Sequence, residues 1–185
     1  MNRKVIAILA SVLLVHVAGC TITFYNATVI EPKPIRGVGQ RQSSSLPCPA
    51  LRLSLPDVDM TVCANPSDSP IDHGTILTIF AVLEPKAADM QFDPAQLRYE
   101  VQGEPPSRPR LVKRKAPDSY ATVTGPVSLK ERGHFNILFN APQATEFTLF
   151  IEGISKSGQP VTVPPIEFEI RDVRRQQKSW THHSW

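Results

Sequence analysis

Three cysteines, at positions 20, 48 and 63, five histidines and one dense basic run are the residues of this 185-residue chain whose types could do chemistry. A thiol could attack, ligate metal or be oxidised, and an imidazole could move a proton or hold a metal. The spacing argues against most of that. Beyond position 20 the histidines are His73, His134, His182 and His183, and none stands in a metal-ligand pattern. The chain has no Cys-x-x-Cys, no His-Glu-x-x-His, no Gly-x-Ser-x-Gly elbow and no glycine-rich phosphate loop. Asp72-His73-Gly74 sets a carboxylate beside an imidazole, but no nucleophile can be named near it, and a turn ahead of a strand accounts for all three residues. His182-His183, between Trp180 and Trp185, could meet a metal or a membrane interface, and the competing reading is a polar tail. The expectation is a non-catalytic chain without metal or cofactor. An enzyme whose residues converge only in three dimensions remains a weaker alternative.

The basic run is Arg108-Pro109-Arg110-Leu111-Val112-Lys113-Arg114-Lys115. Five cations in eight positions make Arg108, Arg110, Lys113, Arg114 and Lys115 a candidate contact for an anionic partner: lipid head groups, lipopolysaccharide phosphates or an acidic protein patch. Strand alternation sets Arg110, Val112 and Arg114 on one side and Leu111 on the other. The competing reading is a solvated strand or loop.

Cys20 follows a different logic. Asn2-Arg3-Lys4 is positive, residues 5–15 are apolar apart from Ser11, and the stretch closes with Leu14-Val15-His16-Val17-Ala18-Gly19-Cys20. This segment resembles the lipobox of bacterial lipoproteins. The resemblance implies removal of residues 1–19, acylation of Cys20 with palmitate-type chains, and work at a membrane surface. A transmembrane helix needs about 20 apolar residues, more than the run supplies. Val17 and Gly19 also suit the ordinary signal-peptidase pattern, the competing reading. Thr21 stands where the family's inner-membrane retention signal has aspartate, which implies the outer membrane with the body in the periplasm. A Gram-positive source would place it on the cell surface instead.

Lipid on Cys20 removes the odd cysteine of an exported chain. Cys48 and Cys63 then form the expected disulfide, the alternative being two buried free thiols. Loss of residues 1–19 also takes Arg3 and Lys4, leaving 18 basic against 17 acidic residues, a formal +1 where the whole chain carries +3. That near-neutral body lacks the basic excess of a nucleic-acid binder.

The elements that must position these groups are strands. Eighteen prolines leave no long helical window. Leu51, Leu53 and Leu55, then Val58, Met60 and Val62, alternate with polar residues about Pro56-Asp57, so a hairpin would bring Cys48 and Cys63 together. Residues 75–83 are almost wholly apolar, which predicts a central strand covered on both faces, with a buried helix as the competing reading. Leu97, Tyr99 and Val101 alternate, as do the residues around Phe135–Phe139 and Phe147–Ile151. Ser157-Gly158 signals a turn, and Ile166, Phe168 and Ile170 alternate with Glu167 and Glu169, which should face solvent.

Seven or eight such strands predict an all-β antiparallel β-sandwich of immunoglobulin-like or transthyretin-like architecture. The expected organisation is a lipoprotein signal peptide over 1–19, a lipidated N-terminus and tether over 20–45, with a first edge strand around residues 22–30 followed by a loop as the competing reading, the sandwich over 46–173 and a polar tail over 174–185. The expected role is a lipid-anchored, non-catalytic interaction or assembly subunit of the cell envelope with an envelope protein as partner. A ligand- or inhibitor-binding module on a lipid tether is the alternative.

Overall fold

The computed structural model of the chain describes residues 20–42, 46–68 and 75–180. Fifteen strands follow one another: β1 (Cys20–Pro32), β2 (Gly39–Gln42), β3 (Ala50–Ser54), β4 (Val58–Asp68), β5 (Thr75–Pro85), β6 (Met90–Phe92), β7 (Leu97–Glu100) and β8 (Leu111–Lys115). They continue with β9 (Tyr120–Thr122), β10 (Val127–Leu129), β11 (Gly133–Asn140), β12 (Glu146–Ile151), β13 (Ile154–Lys156), β14 (Gln159–Pro160) and β15 (Ile166–Trp180). The chain divides into two compact units, Thr28–Arg171 and a second made of Met1–Ala27 with Asp172–Trp185.

The Thr28–Arg171 unit is an antiparallel β-sandwich. One sheet runs β2-β3-β4-β5-β11-β8-β9 and another β1-β15-β12-β7, while β10-β6-β13-β14 form a third. Period-two alternation explains the arrangement, because every second side chain of a strand points to the same layer. Leu51 and Leu53 of β3, Met60 and Val62 of β4, Leu77 and Ile79 of β5, and Ile137 and Phe139 of β11 are all buried. Facing them are Leu97 of β7, Phe147 and Leu149 of β12, and Ile166 and Phe168 of β15. Met90, Phe92, Leu129 and Ile154 of the third sheet join the same core.

The seven-stranded sheet and the β1-β15-β12-β7 sheet meet through aromatic rings. Tyr99 lies edge-on to Phe139 at 5.2 Å and to Phe147 at 5.6 Å, and Phe147 stacks on Phe168 at 4.9 Å. The Tyr99 hydroxyl donates to the Asn140 carbonyl oxygen at 2.8 Å, which satisfies the phenol inside the core.

The hairpin of β3 and β4 forms as the alternation requires, with Ala50 opposite Cys63 and Leu53 opposite Met60. Cys48 and Cys63 are joined by a disulfide with Cα atoms 5.7 Å apart. The turn at Pro56-Asp57 is clamped to the end of β5, since the Lys86 ammonium donates to the Leu55 carbonyl at 2.7 Å and pairs with Asp59 at 2.8 Å. The Ser54 hydroxyl also donates to Asp59. These partners, Lys86 foremost, hold the Asp59 carboxyl below its usual range. Between β13 and β14, Ser157 and Gly158 both take positive φ, 49° and 77°, the two-residue turn whose twist suits a hairpin.

Several elements depart from the sequence expectation. Among the described residues the strands number fifteen in three sheets, more than the seven or eight that the alternation picks out, because short ladders such as β6, β9, β10 and β14 carry too few residues for a period to show. Residues 20–32 and 39–42 run as β1 and β2, so the first half of the expected tether takes the competing reading of a strand around 22–30, and 39–42 add a second. The β-branched and aromatic stretch Thr21-Ile22-Thr23-Phe24-Tyr25, and Thr28-Val29-Ile30 after it, supplies the propensity. Residues 174–180, expected in a tail, extend β15, a neighbour of β1 in its sheet. On β5 the inner residues Leu77, Ile79, Ala81 and Leu83 are buried, as is Val82 on the other face, whereas Ile76, Thr78 and Phe80 on that other face are half-buried.

The bridge closes a loop with a sequence separation of 15 residues, a constraint on the unfolded chain of about 3 kcal/mol. Replacing Cys48 and Cys63 together with alanine should lower the unfolding free energy by about that amount, read from urea denaturation. Wild-type protein unfolded in reductant should shift to match.

Candidate interaction surface

Strand β8 enters the seven-stranded sheet between β11 and β9, with Val112 opposite Ile137 and Lys113 opposite both Asn136 and Thr122. Val112 is buried in the core, so the alternation turns Leu111, Lys113 and Lys115 to the outer side. Arg114 shares the inner side at the sheet margin. Its guanidinium donates to the Ser128 carbonyl at 3.3 Å and lies 5.8 Å from the centre of the Phe135 ring.

The five cations of the basic run therefore do not form one patch. Arg108 donates to the Ala95 carbonyl at 3.1 Å and Arg110 to the Asn140 side-chain oxygen at 3.2 Å, so both staple neighbouring segments of the fold. Arg114 does the same from the inner side. Lys113 and Lys115 are the two on the outer face, half-buried and exposed respectively. The basic run thus divides into two lysines on the outer face and three arginines hydrogen-bonded to neighbouring segments.

The outer face supplies what the sequence reading passed over. Beside Lys113 and Lys115 stand His134, Asn136 and Leu138 of β11, then Ile76, Thr78 and Phe80 of β5. Phe80 pairs across to Asn136 and Cys63, and Leu138 to Thr78 and Leu111. Phe80, Leu111 and Leu138 are half-buried and absent from the side chains packed on the core. Beyond Lys115, Tyr120 of edge strand β9 is 50% exposed. The signal was the almost wholly apolar run over 75–83, which marks a strand that carries apolar groups on both sides whether or not a second layer covers them.

His134 lies on this face. Burial, then the charges of Arg132 and Lys115, disfavour its imidazolium against the weaker pull of Glu84, and its pKa falls below the ordinary histidine value. Glu84 is itself engaged by Arg132 at 3.2 Å.

The opposite outer face belongs to the β1-β15-β12-β7 sheet and is acidic. Lys33 reaches Glu146 at 3.2 Å and Glu167 at 3.4 Å, and the bond to Glu146 leads in raising the lysine pKa. Arg98 pairs with Glu100 at 2.8 Å and with Glu152, its guanidinium 4.1 Å over the Phe150 ring. Glu167 projects outward, 61% exposed, as its alternation with Ile166 and Phe168 requires.

The remaining candidates are quickly placed. Asp72-His73-Gly74, His182, His183 and Trp185 lie outside the described residues, Trp180 ends β15, and Cys20 begins β1. Among the described residues no group of three or more histidine, cysteine or acidic side chains could hold a metal ion, and no helix is long and apolar enough to cross a membrane. A cleft of about 420 Å³ is lined by Gly37, Val38, Gly39, Gln40, Arg52 and Ser54. Arg52, the one ionisable group in that lining, points its charge to Asp59 at 3.6 Å. No protein-family model, curated protein or solved structure matches the chain.

Because folding lowers the His134 pKa, the unfolded chain binds the proton more readily, and stability rises with pH across the histidine range. The thermal midpoint should therefore fall between pH 7.5 and 5.5, and fall less in His134→Gln. Equal slopes for the two proteins would show that His134 carries none of the dependence.

Proposed function

We propose that this chain is a lipid-anchored protein of the bacterial cell envelope, held at the outer membrane through Cys20, whose β-sandwich faces the periplasm as a non-catalytic interaction or assembly subunit. The observation that carries the reading is the segment Leu14-Val15-His16-Val17-Ala18-Gly19-Cys20 after a short basic and apolar stretch. The disulfide adds support. With Cys48 and Cys63 joined, Cys20 is the one cysteine outside the bridge, as a lipid-bearing residue must be.

The outer face of the seven-stranded sheet supports the interaction role. It offers half-buried Phe80, Leu111 and Leu138 beside Lys113 and Lys115, apolar anchors next to a local pair of cations. An envelope protein presenting apolar side chains among acidic ones is the complementary partner. The charges orient the encounter and the apolar groups hold the contact.

In cells of the source organism, metabolic labelling with a palmitate analogue should mark the protein, and Cys20→Ser should abolish both the label and recovery with membranes. Crosslinking from a photoreactive residue at position 138, followed by mass spectrometry, should yield a defined envelope protein, and Lys113→Glu with Lys115→Glu should reduce that adduct severalfold. Labelling absent from wild type would refute the anchor. An adduct indifferent to the charge reversal would refute this face as the docking surface.

A further inference from the structure

A sheet offers its terminal strands as templates for another chain, because one row of backbone amides and carbonyls on each has no ladder partner. Most terminal strands here are covered. β7 is bridged by Ser107, whose amide and carbonyl bond to Tyr99 at 2.9 and 3.0 Å. On β10 the Ser128 carbonyl receives the Arg114 guanidinium, and β14 is two residues long and ends in Pro160. β2 has the Ile35 carbonyl against its Gly39 amide and a charge at Arg41. β9 ends the seven-stranded sheet without such a device. Tyr120, Ala121 and Thr122 are all exposed, with no charge and no proline among them.

The ladder to β8 fixes which groups of β9 are on offer. The Ala116 amide donates to the Ser119 carbonyl at 2.8 Å, and the Val123 amide to the Val112 carbonyl at 2.9 Å. Between these bonds Lys115 faces Tyr120, Arg114 faces Ala121 and Lys113 faces Thr122. Residues of an antiparallel strand alternate between bonding to the partner and facing away from it. Ala121 and Val123 therefore turn to β8, and the amides and carbonyls of Tyr120 and Thr122 point away from the sheet. Their side chains share the outer face with Lys113 and Lys115, their cross-strand neighbours. Tyr120, 50% exposed, is the one exposed large hydrophobic side chain among the described residues, and tyrosine is a frequent anchor of binding surfaces. Where the chain leaves β9, Thr122, Val123 and Thr124 line a cleft of about 340 Å³ with Pro94, Ala95 and Leu111.

We propose that β9 accepts one further strand: an extended, acidic segment of a partner protein adds to this edge, bonding to the backbone of Tyr120 and Thr122 and passing the cleft beside Thr124. The inference rests on reading the outer face as a docking surface and deepens it by naming the mode of contact. Charge selects the occupant. The added strand lies two strand spacings from β8, roughly 10 Å or one Debye length, so Lys113 and Lys115 attract carboxylates on its outer side. A second copy of β9 would bring the same cations with it. Main-chain bonds supply affinity in such additions, and side-chain clefts supply selectivity.

The probe is an acetylated, amidated peptide of alternating valine and glutamate, added to the full chain while hydrogen exchange is followed amide by amide. Exchange at Tyr120 and Thr122 should slow on addition, whereas Ala121 and Val123 are slow without it. Thr122→Pro removes an amide that β8 does not use, and it should weaken binding about tenfold while the amides bonded between β8 and β9 stay protected. Lys113→Gln with Lys115→Gln should weaken it severalfold. A peptide that leaves exchange at Tyr120 and Thr122 unchanged, or that binds Thr122→Pro as tightly as wild type, overturns the proposal. Equal protection by a peptide of valine and lysine overturns the acidic occupant, and protection that grows with protein concentration in the absence of peptide gives the edge to a second copy instead. The crosslink at position 138 keeps this inference apart from the reading beneath it: an adduct that forms equally in Thr122→Pro overturns strand addition and leaves the outer face as the docking surface.

Discussion

The contact of Tyr99 with Phe139 is the point on which the sandwich depends. Tyr99 belongs to β7 and Phe139 to β11, so the pair spans the seven-stranded sheet and the β1-β15-β12-β7 sheet, and Phe147 and Phe168 extend the ring cluster into the latter. Each such side chain contributes roughly 1.5–3 kcal/mol by leaving water. The phenol oxygen fixes the rotation of its ring through Asn140, which also receives Arg110. The residue that joins the sheets in the core is thus linked, one step further, to the start of the basic run. Asn140 thus meets both the core phenol and the residue just before β8.

That dependence explains why the basic run behaves as it does. Three of its five cations bond to the fold around them, at Ala95, Asn140 and Ser128. An arginine presents several donors in a rigid planar fork and so can cap carbonyls at the margin of a sheet. The lysines, compact charges on flexible stems, occupy the outer side. The division between arginine and lysine in one eight-residue run is a division between holding the sheet and facing outward.

Much of the fold was legible in the residues. Leu51, Leu53, Met60 and Val62 announce their hairpin because one face of it is buried and the other is polar, and the same alternation places Phe147 inside and Glu167 outside. Ser157-Gly158 announces its turn through the backbone geometry it must adopt. What alternation does not encode is which strands become neighbours across long stretches of chain. The pairing of β7 with β12, or of β10 with β6, depends on the whole core closing at once. The same limit hid the half-buried apolar group on the outer face of the seven-stranded sheet, since Phe80 and Leu138 lie on separate strands and carry no motif. Residues 174–180 gave no sign of a strand because Arg174-Arg175-Gln176-Gln177-Lys178 carries no apolar alternation.

Strand β8 carries a consequence for how this molecule tolerates changes of length. Val112 is its one fully inward apolar residue, flanked by Leu111 and Lys113 on the outer side. Losing or gaining a single residue within 111–115 would exchange those sides, driving a lysine toward the core and Val112 into water. A two-residue change would keep the parity. Insertions over 102–106, a loop exposed throughout, disturb no such count. Sequences descended from a common ancestor should therefore vary freely in the number of residues before the basic run and stay fixed in number within it, which gives the boundary between loop and strand a signature readable in gaps alone.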